Sequence, residues 1–366
     1  MDFTLNIKVP GEITRLKSFF YSFIRHNTWK KFRNLCLIEA QMRLRKEWVR
    51  GYPYILKVDP SNACNLHCPM CPTGKRLGQR RFGEMSFQTF KKVVDELGEY
   101  CYRILLYGQG EPFIARDLIK MIKYASDRNI GVSISSNLNL LDEKTINRLI
   151  ESGLEHLIVS LDGTSQESYQ QYRVGGNFEK VIDTIKTIIG TRKKMGKNYP
   201  IIEWQYLVMR HNENEIEEAK EIAGKLGVDV IRFSPFSFIE PITKEDLERW
   251  VPRKEQYSYY RTDGNEKQIL NTSSSCSWLY RTAVINWDGG VSPCCSFHMT
   301  GYPENDFGNI QKQSFKDIWN NELYRNSRRL VAGRIQSQEG EDQDGKINSP
   351  CDACDMIVFR KKEKIR

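Results

Sequence analysis

The sequence lacks long apolar runs, a secretory leader and internal repeats, and these absences exclude several classes of protein. No stretch of the 366 residues approaches the roughly 18 consecutive apolar residues of a membrane span. The first residues do not show the order of charged, apolar and small residues that marks a secretory signal. No repeated unit or low-complexity tract appears. We therefore expect a cytoplasmic protein of about two domains.

The net charge of +9 belongs to the two ends of the chain. Residues 1–50 contribute +7 and residues 359–366 contribute +4, which leaves −2 for the middle. A nucleic-acid partner is therefore not expected. Ile13 and Leu16 begin a helical pattern and Thr28 is a candidate N-cap, so residues 1–50 are predicted to be a basic amphipathic helical extension. Such helices either dock on the protein's own body or make a peripheral contact with a membrane.

Short β-branched runs alternate with helical patterns over residues 51–240. Six runs read as strands: YILKVD, RILLYG, GVSISS, HLIVSLDG, IIEWQYLVM and DVIRFSPF. This alternation predicts an α/β fold in which a parallel sheet of six units forms an open sheet or a partial (β/α)6 TIM-type barrel, with ligands at the carboxyl ends of the strands. Residues 241–366 are predicted to be a linker and a small α+β domain, with a hairpin in RTAVINWDGGVSPCCSF and one helix in SFKDIWNNELYRNSRRLV.

Ten cysteines indicate chemistry, because disulfides are rare in the cytoplasm and clustered cysteines there more often bind metal. Cys64, Cys68 and Cys71 stand within eight positions, directly after the first predicted strand. A loop of this kind can wrap a single metal centre. Two centres fit the spacing equally well: zinc completed by His67 or a distant cysteine, and a cubane iron–sulfur cluster with one iron left open.

The surrounding residues carry a family resemblance. The segment DPSNACNLHCPMCPTG, residues 59–74, resembles the CxxxCxxC loop of the radical SAM superfamily. The later segments YGQGEP, SSN, VSLDG and YRVGG resemble the parts of that family that hold S-adenosylmethionine (SAM). The resemblance implies a 4Fe–4S cluster on Cys64, Cys68 and Cys71 whose open iron binds SAM. It also implies the SAM contacts: Met70 on the adenine, Gly108, Gly110 and Glu111 at the methionyl amino group, Asn137 near the ribose, Ser160 at the ribose or carboxylate, and Arg173 at the carboxylate.

A second set of cysteines resembles the SPASM/twitch type of auxiliary-cluster module found in the same superfamily. The resemblance implies an auxiliary 4Fe–4S cluster held by Cys276, Cys294, Cys351 and Cys354. Because no cysteine follows Cys354, the count favours a single auxiliary cluster, as in the twitch-type dehydrogenase of aminoglycoside biosynthesis. Cys295 is a bystander or a substitute for Cys294. Zinc remains an alternative here, since four cysteines also close a tetrahedron.

The resemblance implies a SAM-dependent oxidoreductase. An electron donor such as flavodoxin or ferredoxin supplies one electron, and a 5′-deoxyadenosyl radical takes hydrogen from a substrate C–H bond. We expect oxidation of an alcohol on a sugar, aminocyclitol or nucleotide sugar, with the auxiliary cluster accepting the electron. Glu203, Gln205 and Arg232 are the candidate catalytic residues, of which only Glu203 is an ordinary base.

Three alternatives to alcohol oxidation stay open. The first is a peptide- or protein-modifying maturase, although such enzymes usually carry a separate winged-helix segment for which residues 1–50 are too short. The second is a sugar epimerase. The third lies outside enzymes and is a zinc-stabilised interaction module.

Overall fold

The computed structural model describes residues 5–6, 22–236, 243–258, 260–263, 266–269, 276–333 and 349–354. Residues Ile13 and Leu16 of the predicted helical extension lie outside the described residues. Helix α1 spans Trp29–Arg43, and the Thr28 side chain caps it by accepting a hydrogen bond from Lys31 N at 3.2 Å, which confirms the predicted cap. In the described part of the chain, no helix is long and apolar enough to span a membrane.

Six parallel strands form the centre of the fold, as the sequence predicts. They are β2 (Ile55–Val58), β3 (Arg103–Leu105), β4 (Gly131–Ser136), β5 (His156–Ser160), β6 (Ile201–Val208) and β7 (Val230–Pro235), after a two-residue strand β1 (Leu5–Asn6). Neighbours in sequence are neighbours in the sheet from β2 to β7, and β1 pairs antiparallel with the outer edge of β7. The predicted α/β partial barrel is confirmed.

Helices cross over between these strands. They are α2 (Phe87–Leu97), α3 (Leu118–Ser126), α4 (Glu143–Glu151), α5 (Gln166–Tyr172), α6 (Phe178–Lys194) and α7 (Ile216–Leu226). The sequence predicts all of them except α5, whose polar repeat of Gln, Glu, Ser and Tyr gives no apolar period. Ser165 nevertheless marks the start of this helix as a favourable N-cap residue, because its side chain accepts a hydrogen bond from Ser168 N at 3.2 Å.

The described residues after 242 include five further helices and two strand pairs. They are α8 (Lys244–Trp250), β8 (Tyr260–Asp263) paired with β9 (Glu266–Ile269), α9 (Trp278–Arg281), β10 (Thr282–Ile285) paired with β11 (Val291–Ser292), α10 (Phe297–Thr300), α11 (Phe315–Trp319) and α12 (Glu322–Val331). The predicted hairpin is confirmed as β10–β11. Strand β10 also pairs parallel with β2, placing Ala283 opposite Leu56, so the central sheet continues into the C-terminal region.

The prediction of one helix over residues 314–331 is wrong. The chain breaks between α11 and α12, where Asn320 leaves helical geometry. Asn321 then starts the second helix, because its side chain accepts a hydrogen bond from Tyr324 N at 3.1 Å. An asparagine in this position competes with the helical backbone and favours a new N-terminus.

The strands alternate between two faces. Side chains on the outer face, such as Leu56, Ile104, Ile134 and Trp204, are fully buried and pack in one apolar cluster with the crossover helices. The other face looks into the barrel. This division is the expected period of two along a strand, and it places the carboxyl ends of all six strands around one opening.

Candidate functional site

The three predicted cluster cysteines lie in the loop after β2, at the carboxyl ends of the strands. Cys71 N donates to Cys68 O at 3.1 Å, and His67 N donates to Val174 O at 2.9 Å, which ties the loop to the chain after α5. Glycine is required at position 74, since a Cβ there would lie 2.4 Å from Cys68 O. The His67 side chain, considered as a zinc ligand, is exposed.

Nitrogen donors surround the sulfur atoms. Leu66 N lies 3.4 Å from Cys64 Sγ, and Asn137 Nδ2 lies 3.9 Å from the same atom. Arg173 Nη1 lies 3.9 Å from Cys68 Sγ. Donors of this kind stabilise sulfur that carries negative charge, as thiolates do when they hold an iron–sulfur cluster.

The Cys64 and Cys68 thiols are protonated unless a metal displaces the proton. Burial raises the pKa of Cys64 to about 11 and also raises the pKa of Cys68. Metal binding therefore releases protons at this loop. Among the described residues, no three His, Cys, Asp or Glu side chains stand close enough to share a single metal ion. The three thiols of the loop are soft sulfur ligands of the kind that holds an iron–sulfur cluster.

The glycine-glutamate segment packs directly against the cysteine loop. A Cβ on Gly110 would lie 2.3 Å from Ala63 O, so only glycine permits this approach. Glu111 N donates to Ala63 O at 2.8 Å. The predicted residues Gly108, Gly110 and Glu111 therefore adjoin the cysteines.

The Glu111 carboxylate is buried and hydrogen-bonded to the end of β4. It accepts hydrogen bonds from Ser136 Oγ at 2.8 Å and from Asn137 N at 2.9 Å. Burial raises the pKa of Glu111. These bonds bring the predicted residues Glu111 and Asn137 into one hydrogen-bonded group beside Cys64.

Arg173 has a partner within the chain. Its Nε donates to Asp162 Oδ2 at 2.6 Å, and Asp162 is completely buried. The predicted contact of Arg173 with the SAM carboxylate stays a prediction, and the structure adds Asp162, which the sequence reasoning did not select. The available sequence signal for this ion pair is an Asp at the end of a predicted strand, eleven residues before an Arg. Ser160, also predicted, lies at the end of β5 with its Oγ 3.4 Å from Ser135 Oγ.

Met70 is buried in a small apolar cluster beside the cysteines. This cluster consists of Leu66, Cys68, Met70, Tyr172, Met209, Phe236 and Trp250. Two of its aromatic rings, Tyr172 and Trp250, have centroids 5.5 Å apart. The cluster shields one side of the cysteine loop from water, and the adenine contact of Met70 stays a prediction.

The second cysteine set also comes together. Burial is the largest cause that raises the pKa of Cys294, and the thiolates of Cys351 and Cys276 raise it further. The thiolate of Cys354 likewise raises the pKa of Cys351. Burial raises the pKa of Cys351 to about 12. Cys295 also lies beside Cys294 and acts on its pKa, so the structure does not separate these two as ligands.

Two family models match the chain over these same regions. Residues 58–223 match the Radical SAM superfamily, and residues 276–355 match SPASM, an iron–sulfur cluster-binding domain. The chain carries a radical SAM domain followed by a SPASM domain. A radical SAM domain binds a 4Fe–4S cluster and SAM, and a SPASM domain binds auxiliary iron–sulfur clusters, so residues 58–223 and 276–355 are the SAM-dependent and the auxiliary-cluster parts of this chain.

Proteins similar to this chain carry names that describe different activities. The chain is 27% identical over 299 residues to the tungsten-containing aldehyde ferredoxin oxidoreductase cofactor-modifying protein of Pyrococcus furiosus, covering 74% of this chain and 81% of the relative. It is 24% identical over 314 residues to the AdoMet-dependent heme synthase of Methanosarcina barkeri, covering 75% and 85%. It is 22% identical over 331 residues to the PqqA peptide cyclase of Granulibacter bethesdensis, covering 83% and 80%.

Solved structures share the fold. Streptococcus suis SuiB bound to S-adenosylmethionine aligns with a TM-score of 0.60 at 14% identity, covering 89% of this chain and 75% of SuiB. The structure of anSMEcpe with bound AdoMet and Cp18Cys peptide aligns with a TM-score of 0.56 at 16% identity, covering 86% and 99%. At these identities the likeness concerns the fold alone.

Two of the three candidate catalytic residues lie deep inside the barrel of this radical SAM domain. Glu203 Oε1 accepts a hydrogen bond from Arg232 Nε at 2.6 Å, and Glu203 Oε2 lies 3.0 Å from His156 Nε2. Glu203 is completely buried. It stands near the amino-terminal end of β6, where Arg232 and His156 contact its carboxylate, and its role as the substrate base stays a prediction. Gln205, two residues further along β6, is partly exposed.

Proposed function

We propose that this radical SAM enzyme abstracts hydrogen from a peptide or protein substrate held at the carboxyl ends of β2–β7. When bound, the cluster and SAM supply a 5′-deoxyadenosyl radical for that abstraction. The single observation that carries the proposal is the convergence of the cysteine loop, the Glu111 segment and Asn137 around one opening of the barrel.

The residues of the chain position and shield this chemistry. Gly110 lets the Glu111 segment approach the cysteine loop, and the hydrogen bonds of Glu111 to β4 fix that approach. The Arg173–Asp162 pair holds a cation beside Cys68. The Met70 cluster excludes water from one side. Exclusion of water and fixed orientation are what a protein contributes to radical chemistry of this kind.

Three similar proteins support a peptide or protein substrate over a carbohydrate. The PqqA peptide cyclase aligns with 83% of this chain, and SuiB and anSMEcpe, structures solved with peptides, share its fold. We propose that the SPASM domain accepts the electron left on the substrate. Oxidation of a carbohydrate-like alcohol is the second candidate, favoured by the polar side chains Lys57, Ser135 and Gln205 inside the barrel.

Deuterium transfer tests both candidates. The anoxically purified enzyme, with SAM and dithionite, is incubated with an extract of cells grown in heavy water. Deuterium in 5′-deoxyadenosine, measured by mass spectrometry, then reports abstraction from a substrate in the extract. The proposal expects the label to disappear when the extract is first treated with a protease. A label that survives protease treatment but is lost after nucleotide-pyrophosphatase or glycosidase treatment would replace the peptide by the second candidate.

The Cys68→Ala variant is the control for cluster dependence. It should form no 5′-deoxyadenosine, because the loop then lacks one of the three thiols. If wild-type enzyme with a full complement of iron forms none under dithionite, the assignment of SAM cleavage to this loop is wrong.

A further inference from the structure

The inner face of the barrel has two levels of different accessibility. Deep in the barrel, a closed group of charged and hydroxyl side chains is buried: Arg103, Ser133, His156, Glu203, Arg232 and Ser234. Nearer the cysteine loop, strands β2 to β6 and the residues that follow them present accessible side chains at inward positions. This ring consists of Lys57, Leu105, Tyr107, Ser135, Ser160, Gln205 and Leu207. The strand residues that alternate with them are buried under the helices, so the accessibility comes from space inside the barrel.

The sheet register confirms that these side chains face the same chamber. Lys57 lies opposite Leu105 across β2 and β3, and Ser160 lies opposite Gln205 across β5 and β6. Tyr107 follows Leu105 by two positions, and the Lys57 ammonium lies 5.3 Å from the centre of its ring. Lys57 therefore projects into the chamber and not along the outside of the sheet.

Lys57 is a cation without a hydrogen-bonded or ion-paired partner among the described residues. The deeper cations of the barrel, Arg103 and Arg232, already donate hydrogen bonds to side chains on neighbouring strands. The charge of Lys57 lowers the pKa of the nearby Asp59 carboxylate, but the two side chains form no ion pair within 4.0 Å. The side-chain amide of Gln205 likewise has no hydrogen-bond partner in the described part of the chain. Polar groups in an enclosed space usually have partners, so these two are available to a ligand.

We propose that Lys57 binds an anionic group of the substrate, a carboxylate or a phosphate, inside the barrel, with Gln205 and the Tyr107 hydroxyl as hydrogen-bonding neighbours. This inference rests on the proposed function, because the chamber opens toward the candidate SAM site. It narrows the substrate class: a carboxylate points to an acidic or C-terminal peptide group, and a phosphate points to a nucleotide-linked compound. An ammonium group that is partly shielded from water and lacks an ion-paired partner prefers such anions.

SAM itself carries a carboxylate and is the competing occupant of Lys57. The two cases differ in what saturating SAM does. A substrate site at Lys57 still accepts an added anion when SAM is bound, whereas a SAM site at Lys57 does not. The test is therefore carried out on the enzyme with its clusters intact and SAM saturating.

Fluorine NMR provides the measurement with defined probes. Trifluoroacetate represents a carboxylate and monofluorophosphate represents a phosphate, and line broadening of each probe reports binding at matched ionic strength. We expect at least one probe to bind the wild-type enzyme and to be displaced by acetate or inorganic phosphate, respectively. Lys57→Gln should weaken that binding at least fivefold, and Lys57→Arg, which keeps the charge, should retain most of it. Lys144→Gln on the exposed surface of α4 is the matched control and should bind like the wild type.

The outcomes separate this inference from the proposed function. Binding of trifluoroacetate alone assigns a carboxylate, binding of monofluorophosphate alone assigns a phosphate, and binding of both supports an anion site of either kind. Equal binding by wild type and Lys57→Gln, no binding of either probe, or loss of binding on addition of SAM would each overturn the inference. SAM cleavage by the wild type is measured in parallel, and its failure would instead count against the proposed function.

Discussion

Asp59 shows how burial changes the chemistry of a single side chain near the candidate SAM site. It follows β2 directly and is 2% exposed, and its Oδ1 has no hydrogen-bond partner in the described part of the chain. Burial is the largest cause that raises its pKa to about 7, against the lowering effects of backbone N–H groups and of Lys57. Asp59 therefore exchanges a proton near neutral pH, within a few residues of the cysteine loop.

We predict that Asp59→Asn removes a pH dependence of stability. Between about pH 4 and pH 7 the folded protein keeps a proton on Asp59 that the unfolded chain has released, so the free energy of unfolding falls as pH rises across that range. In the Asp59→Asn variant this fall should be smaller. Urea unfolding under anoxic conditions at several pH values, followed by tryptophan fluorescence, provides the measurement.

Asp127→Asn serves as the control for this prediction. Asp127 is a half-exposed carboxylate at the end of α3, so Asp127→Asn makes the same chemical change outside the buried site and is measured in parallel. An Asp59→Asn slope equal to that of the wild type would show that Asp59 is already ionised at acidic pH.

A second prediction concerns the buried pair of Arg173 and Asp162. Arg173→Met leaves the Asp162 carboxylate buried without its cation, and breaking such a pair costs about 3 kcal/mol of unfolding free energy. The double variant Arg173→Met/Asp162→Asn removes the stranded charge and should recover part of that loss. Denaturant unfolding of the wild type and both variants checks this. A single variant as stable as the wild type would mean that water reaches Asp162.

Helix α12 presents one face to the second set of cysteines. Tyr324, Ser327 and Arg328, spaced three and four residues apart, are all completely buried on that face. The Arg328 guanidinium lies 4.6 Å from the ring of Trp319 and 5.2 Å from that of Tyr324, and burial lowers its pKa to about 10. The helix thus places the hydroxyls of Tyr324 and Ser327 beside the ligands that we predict for the auxiliary cluster, with Arg328 behind Tyr324.

We predict that Tyr324→Phe lowers the reduction potential of the auxiliary cluster. The Tyr324 hydroxyl is buried without a hydrogen-bond partner among the described residues, and the thiolates of Cys351 and Cys294 raise its pKa after burial as the first cause. A hydroxyl donating to cluster sulfur stabilises the reduced state, so its loss makes reduction harder. A redox titration monitored by electron paramagnetic resonance measures the shift.

Tyr124→Phe is the matched control, since the hydroxyl of Tyr124 donates to Asp95 on the exposed side of the barrel. It should leave both cluster potentials unchanged. If Tyr324→Phe also leaves the auxiliary potential unchanged, the hydroxyl does not contact the cluster.

The elements that the sequence predicts correctly are those with a strong local signal. All six barrel strands are β-branched runs, and their crossover helices have an apolar period. Helix α5 lacks that period. The break between α11 and α12 depends on the Asn321 cap, which interrupts a segment that has the apolar period of a single helix. Other features join residues that are distant in sequence. These are the pairing of β10 with β2 and the contacts of the Glu203 carboxylate with Arg232 and His156. No local pattern encodes such contacts, so Glu203 looks like a free base until the barrel is assembled.

The radical SAM domain and the SPASM domain share one sheet and one buried ion-pair group. The shared sheet comes from the β2–β10 pairing. Arg80 follows the cysteine loop and contacts the SPASM domain through all three of its guanidinium nitrogens. Its Nε donates to Thr300 O at 2.7 Å, and its Nη2 donates to Asp306 Oδ1 at 2.7 Å. Its Nη1 forms an ion pair with Asp288. Gln109, next to the Glu111 segment, also donates to Thr300 Oγ1 at 2.7 Å. The two cluster regions are therefore held in fixed relation.

Arg80→Met should loosen both domains at once. The change leaves Asp288 and Asp306 without their shared cation. Asp306 also accepts a hydrogen bond from Ser292 of β11, so the disturbance reaches the hairpin that precedes Cys294. Hydrogen–deuterium exchange of the enzyme with its clusters intact should rise both around residues 78–84 and around residues 288–308. Arg81→Met, an exposed neighbour, should leave both segments protected. Faster exchange in only one segment would show that the sheet pairing, rather than Arg80, fixes the SPASM domain against the barrel.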